Sequence, residues 1–258
     1  MFQRWSMHST SVRDLKAGPH GALPGIVVLT GAGISRESGL DTFRDAGGIW
    51  QKYSIEDVCT PEGFARDPAK VQTFYNEMRA QLSDVTPNAA HTALAELEHA
   101  WVARGGDFVL VTQNIDDLHE RAGSERLLHM HGELLSARCL TCEARTRWSG
   151  PITAQSRCPV CGVEGRLRPD IVWFGEIPLY MDEIAEALRQ RCGLFIAIGT
   201  SGKVWPAAGF ISEVRGRART VELNLERSDG ASLFDEEHNG PATQVVPAFV
   251  TELLAGIG

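Results

Sequence analysis

The sequence predicts an α/β fold: a doubly wound parallel sheet carrying a smaller helical and zinc-binding module. Three observations lead there. Short β-branched runs recur along the chain, helical apolar stripes lie between them, and four cysteines form two C-x2-C pairs in a stretch poor in apolar residues.

The first run is Ile26–Thr30, too short for a buried helix and suited to a strand covered on both faces. Similar runs follow at Phe108–Thr112, Leu194–Ile198 and Thr220–Leu223, with a weaker one at Gln244–Val246. Between them, Ala90, Ala93, Leu94, Leu97 and Trp101 repeat at helical spacing until Gly105-Gly106 ends the pattern. Met181, Ile184, Ala185 and Leu188 make a second stripe. Strands alternating with helices read as a parallel sheet wound on both faces.

Two stretches break the alternation. Residues 43–83 carry helical stripes without a strand, and residues 132–168 carry the cysteines. We expect residues 25–42, 84–131 and 169–258 to build the sheet domain and the two interrupting stretches to build the small module. Residues 1–24 read as a loose lead-in.

The chain has 258 residues, 43% apolar and 22% charged, as expected of a globular protein. A net charge of −8 disfavours a general nucleic-acid binder, because no cations are in excess to neutralise phosphates. Arg138, Arg145, Arg147, Arg157, Arg166 and Arg168 make the cysteine-bearing stretch locally basic, which a solvated face explains equally well. No apolar run approaches the ~18 residues of a membrane span, and the first residues lack a signal-peptide core, so we expect a cytoplasmic protein without a membrane partner.

Cys139-x2-Cys142 and Cys158-x2-Cys161 stand fifteen residues apart, the spacing of a four-cysteine zinc site. Four thiolates close a tetrahedral ion and leave no position for water, so this zinc is expected to be structural. Cys59 and Cys192 read as ordinary half-buried thiols.

The first strand runs directly into Gly31-Ala32-Gly33-Ile34-Ser35. Glycines there let the backbone approach a pyrophosphate, and a following helix N-terminus favours its charge. The spacing is not G-x-G-x-x-G, and the glycines alone fit a tight strand–helix turn as well. Other strand ends add weight: Gln113-Asn114-Ile115-Asp116, Gly199-Thr200-Ser201 and Asn224-Leu225-Glu226 are small or polar. Open α/β sheets bind ligands beyond their strands' carboxyl ends, so these four ends make one polar crevice.

Taken together, these residues resemble the sirtuins, the NAD-dependent protein-lysine deacylases, and most of all the bacterial members. The matching segments are GAGIS (31–35), SGLDTFRD (38–45), TQNID (112–116), HMHGEL (129–134), the C-x2-C pairs, FGE (174–176), GTS (199–201) and NLE (224–226), in the family's order.

The resemblance implies a large Rossmann-like domain and a small zinc module, with NAD and an acyl-lysine peptide meeting between them. By motif match, Gly31, Ala32, Gly33, Ser35, Phe43 and Arg44 would contact the phosphates and the nicotinamide ribose. Gln113, Asn114, Ile115 and Asp116 would line the nicotinamide pocket, and Gly199, Thr200, Ser201, Asn224, Leu225, Glu226 and Ala242 would hold the rest of the dinucleotide. The peptide would lie as an added strand between Val172–Glu176, with Phe174 and Gly175, and a second loop containing Gly202, Lys203 and Val204. The motifs set no oligomeric state.

His131 matches the family's general base, with Asn114 beside it in the catalytic set, whereas His119 and His129 match no family role. In the implied reaction the acyl oxygen attacks C1′ of the nicotinamide ribose and nicotinamide leaves. His131 then takes a proton from the ribose diol, the 2′-oxygen attacks the imidate carbon, and water releases lysine and O-acyl-ADP-ribose. An imidazole near pKa 6.5 suits that task.

Relatives that remove succinyl groups carry a Tyr-x-x-Arg pair for the acyl carboxylate. Here Tyr75 is present and Met78 occupies the arginine position. One residue turns ~100° around a helix, so Arg79 is expected to point away from the Tyr75 face. A thioether cannot replace a guanidinium, so deacetylation is expected over desuccinylation. Two other readings fit the same motifs: a protein ADP-ribosyltransferase and a non-catalytic NAD-binding module.

Overall fold

The structure is a computed structural model that describes residues 23–40 and 52–257. Nearly all of the lead-in, with Phe43 and Arg44, lies outside the described residues. The strands are β1 (Gly25–Thr30), β2 (Phe108–Thr112), β3 (Leu127–His129), β4 (Gly132–Cys139), β5 (Arg145–Arg147), β6 (Leu167–Ile171), β7 (Cys192–Ile198), β8 (Arg219–Asn224) and β9 (Glu236–Asn239). The α-helices are α1 (Ile55–Val58), α2 (Pro61–Arg66), α3 (Pro68–Gln81), α4 (Ala89–Val102), α5 (Leu118–Ala122), α6 (Met181–Glu186), α7 (Phe210–Val214) and α8 (Ala242–Ala255).

Six strands form one sheet in the order β3-β2-β1-β7-β8-β9, and every neighbouring pair is parallel. Alternation along β1 explains why its run is apolar throughout. Ile26 and Val28 pack with Leu94, Leu97 and Trp101 of α4 and Phe249 of α8. Val27 and Leu29 face the other way, towards Ile184, Leu188, Phe210 and Val214. The order reverses between β1 and β7, which is where sheets of this kind bind ligands.

The second sheet is antiparallel, β5-β4-β6. Helices α1 to α3 cover it through Val58, Val71, Phe74 and Tyr75, which pack on Leu134, Ile171 and Trp173. A separate cluster of Ala137, Cys139, Ile152, Cys158 and Leu167 surrounds the cysteines. Strand β6 crosses the boundary drawn at 168/169, because Pro169, Asp170 and Ile171 still pair with β4.

Several expectations need correction. Gln244–Val246 is the start of α8, since Val245, Val246, Phe249, Val250 and Leu253 recur at helical spacing and are all buried. Two 3-10 turns, Ala32–Ile34 and Arg36–Ser38, follow β1 in place of a helix N-terminus. Cys59 and Cys192 are buried at 6% and 8% exposure, and burial raises their thiol pKa to about 11 and about 12. Both are therefore inert packing residues.

Candidate active site

The loops after β1 and β7 cross backbone to backbone. Gly31 N–H donates to Ile198 O and Gly33 N–H to Gly199 O, each at 3.0 Å. A Cβ on Gly33 would lie 2.7 Å from Gly199 Cα, and one on Gly199, at φ +61°, would lie 2.5 Å from Ile34 N. These glycines permit the crossing; their amides are already paired and do not serve a ligand. Beside them Ala32, Gln113, Ile115, Thr200, Ser201 and Ala242 are half-buried, while Leu225 and Glu226 are exposed. Asn224 Nδ2–H donates to Thr200 O at 2.8 Å and ties the third strand end to the second. The loops after β1, β7 and β8 are thus tied into one partly exposed rim.

Beneath this rim lies a buried polar network that the sequence reading missed. Ser35 Oγ donates to Asp116 Oδ2 at 3.0 Å and accepts from Asn114 Nδ2 at 3.1 Å and from His91 Nε2 at 3.4 Å. His91 Nδ1 in turn accepts the Asn88 amide at 3.3 Å, closing a capping box at the start of α4. Burial lowers the His91 pKa to about 4 and raises that of Asp116. Ser35 and Asp116 are 2% and 7% exposed, so they fix Asn114 from below. Asn88 three residues before His91 was the available signal. His119 lies deeper, its Nε2–H donating to Thr30 Oγ1 at 3.0 Å, and burial holds its pKa well below the ordinary value.

His129 and His131, two positions apart, have opposite electrostatics. His129 presents both ring nitrogens to acceptors, Nδ1 to Asn114 O at 3.0 Å and Nε2 to Glu120 Oε1 at 2.8 Å. Burial opposes its charged form, yet the Glu120 carboxylate raises its pKa above the ordinary value. The two contacts brace the ring as a strut and favour its charged form. His131 donates only Nδ1–H, to Gln113 O at 3.1 Å, and burial lowers its pKa. That bond sets the tautomer and leaves the Nε2 lone pair as a base. The ring stands where the first sheet gives way to the second, because Gly132 opens β4 directly after it.

The stretch after β6 is braced by its own acid. Glu176 accepts both Arg168 Nη atoms, at 2.7 and 2.9 Å, and the Trp173 amide at 2.8 Å. Glu176 thus holds the loop's shape, and its pKa falls below the ordinary value through Arg168 and Trp173 despite the cost of burial. The loop leaves Phe174 52% exposed, and Val204 and Trp205 in the stretch after β7 are 36% and 75% exposed. Tyr75 Oη accepts Trp173 Nε1–H at 3.0 Å directly behind this loop.

Arg79 contradicts its expected direction. Four residues along a helix advance ~400°, so Arg79 returns to within ~40° of Tyr75. The two are buried together at 4% and 2% exposure. Arg79 Nε donates to Leu134 O at 2.9 Å and Nη1 to Asn76 Oδ1 at 2.8 Å, while Nη2 is buried without a partner. Burial lowers its pKa to about 10. Met78 is half-buried in the same apolar cluster as Tyr75.

The four cysteines converge. Cys139 and Cys161 Sγ are 3.8 Å apart, and Cys142 and Cys158 Sγ 3.7 Å. Tetrahedral zinc at ~2.3 Å from each sulfur requires edges of about 3.8 Å, so the donor set fits the ion. Each C-x2-C pair is built alike: Cys139 N–H donates to Ala144 O and Glu143 N–H to Cys139 O, while Cys158 N–H donates to Val163 O and Gly162 N–H to Cys158 O. Amides from Cys142 and Thr141 point at the Cys139 sulfur and lower its pKa, favouring the thiolate a metal needs. Glu98, His99 and Glu125 also approach one another, but both Glu98 oxygens already accept backbone amides of Glu125 and Arg126.

Comparison with known proteins places the chain in a family. Residues 31–206 match the Sir2 family. A protein of Caulobacter vibrioides named NAD-dependent protein deacylase is 55% identical over 231 residues, covering 89% of this chain and 97% of that one. A solved Sir2 homolog–NAD complex superposes with a TM-score of 0.83 at 34% identity, covering 96% of this chain and 93% of the other. A Sir2 protein bound to acetylated peptide gives a TM-score of 0.76 at 27% identity, covering 96% of each chain. The chain belongs to the Sir2 family.

Proposed function

We propose that this chain removes acyl groups from protein lysines with NAD as co-substrate, and that His131 is its general base. The observation that carries this reading is the His131 tautomer: a neutral imidazole, held through Nδ1, with a free Nε2 at the seam of the two sheets. When bound, NAD supplies a ribosyl carbon activated by a cationic leaving group.

The residues divide the work. Ala32, Thr200, Ser201, Asn224, Leu225, Glu226 and Ala242 hold the dinucleotide along the rim, and the motif match adds Phe43 and Arg44 to that set. Gln113, Ile115 and Asn114 line the nicotinamide end, and the Ser35–Asp116–His91 network keeps Asn114 in place. The acyl-lysine peptide adds as a strand between residues 172–175 and 202–204, which needs little of its side chains. His131 Nε2 accepts the proton of the ribose hydroxyl presented to it. Zinc holds the cysteine pairs and stays outside the chemistry. Free thiolates for that ion suit a reducing cytoplasm.

Met78 favours small neutral acyl groups, because the acyl pocket then lacks the arginine that would pair a carboxylate. Arg79 stands nearby, but two of its donors are committed to Leu134 and Asn76. Acetyl- and succinyl-lysine forms of one peptide should differ at least tenfold in kcat/KM in favour of acetyl, a difference of about 1.4 kcal/mol or more. A succinyl preference would mean that the free Arg79 Nη2 reaches the acyl carboxylate.

A further inference from the structure

Strand register places three arginines side by side. Arg138 of β4 is the direct partner of Arg145 on β5 and of Arg168 on β6. Like charges facing across strands destabilise a sheet, so the arrangement costs stability that the fold alone does not require. All three line one cavity of about 120 Å³, with Asp170, Glu176, Ile171 and Val172.

The cations are not equally satisfied. Arg168 is gripped by Glu176 through both Nη atoms, and Arg145 pairs with Asp170 at 3.2 Å. Arg138 has Glu143 at 3.5 Å, whose own side chain is 78% exposed. Three guanidiniums face two carboxylates in the cavity, which leaves one positive charge in excess, centred on Arg138. A larger neighbouring cavity of about 450 Å³ is different: its carboxylates, Asp117, Glu120, Glu133 and Asp170, outnumber its three arginines. The smaller space has room for about four waters at ~30 Å³ each, enough for a carboxylate and too little for a nucleotide.

Its position names the source of that carboxylate. β6 is an edge strand of its sheet, and Ile171 at its end and Val172 just beyond it line the cavity. Residues 172–175 are where the deacylation reading seats the substrate strand. We propose that this cavity takes an acidic side chain of the acylated substrate, so that the enzyme selects acyl-lysines with an Asp or Glu at one fixed distance along the chain. The proposal rests on that reading of the peptide site.

The test is a series of acetyl-lysine peptides, each with one Asp or Glu at a successive flanking position, paired with its Asn or Gln isostere. At one position the acid should be preferred roughly fivefold in kcat/KM, mostly through KM, with the ratio shrinking as salt rises. Arg138→Gln should bring that ratio to near one, Arg138→Lys should keep part of it, and Arg138→Glu should invert it. A ratio near one at every position in the wild type overturns the proposal, as does a ratio that Arg138→Gln leaves unchanged. If the ratio stays at one while inorganic phosphate inhibits the wild type and spares Arg138→Gln, the cavity holds a free anion and the peptide assignment is wrong. Failure of every peptide, acidic or neutral, to lose its acetyl group overturns the deacylase reading itself, an outcome distinct from a lost ratio.

Discussion

In the six-stranded sheet, the central strands bury both faces against helices, and residues such as Val28, Leu94, Trp101 and Phe249 are 2% exposed or less. The three-stranded sheet meets the cysteine end with a cluster of only five buried residues, two of them metal-ligand cysteines. What that cluster lacks in apolar area is supplied by polar links from α3. Gln72 Nε2 donates to Leu167 O at 2.8 Å, and Asn76 binds both the amide and the carbonyl of Ile152, at 2.8 and 2.9 Å. One region is stabilised by solvent exclusion and the other by a metal and directed hydrogen bonds. His131, the proposed general base, stands on their seam, so its placement is only as ordered as the weaker partner.

Metal removal breaks the comparison most strongly. Structural zinc in small domains contributes on the order of 10 kcal/mol, so chelation or Cys139→Ser should unfold the cysteine end while the large sheet persists. Hydrogen exchange should show β4 to β6 losing protection with β1, β2 and β7 unchanged; equal loss in both sheets would mean that they share one cooperative core.

Acid should act on the other region. His91 folds with a pKa of about 4, against ~6.5 in the unfolded chain. A depressed folded value stabilises above the unfolded pKa, so this contribution is complete above about pH 6.5 and is lost as pH falls towards 4. His119 adds in the same direction, whereas His129, raised by Glu120, stabilises at low pH and loses that contribution as pH rises. Urea midpoints should therefore fall between pH 7 and pH 5 by roughly 1–3 kcal/mol of stability, and His91→Gln should flatten the slope. A slope untouched by that change would remove His91 from the account.

A smaller effect sharpens the link between the regions. Asn76→Ala deletes the pair to Ile152 and an acceptor for Arg79, costing about 1–2 kcal/mol. It should weaken zinc retention and raise KM for acyl-peptide more than KM for NAD. A loss spread evenly over both substrates would make Asn76 an ordinary stabilising contact.

The two regions also differed in how far they could be read from sequence. β1, β2, β7 and β8 announce themselves because a strand covered on both faces must be apolar throughout, and α4 because its stripe is long. β9 was invisible, since Glu236-Glu237-His238-Asn239 is a polar sheet edge, and β3 has only three residues. Val245-Val246 imitated a strand until Phe249 and Leu253 placed it in a helix. The cysteine site was legible because ligand spacing is local, whereas the His91–Ser35–Asp116 network joins residues 25 to 81 positions apart and exists only once the chain has folded. Arg79 was misplaced by counting its turn from Met78 instead of Tyr75.

The central claim is that a neutral His131 drives acyl transfer to NAD-derived ribose, and one mass-spectrometric comparison addresses it directly. An acetyl-lysine peptide with NAD should give free lysine, nicotinamide and O-acetyl-ADP-ribose in equal amounts. His131→Ala should lower that turnover by about 10²–10⁴-fold while NAD binding is retained. Undiminished turnover in the variant, or a peptide that gains the mass of ADP-ribose and keeps its acetyl group, would contradict the account.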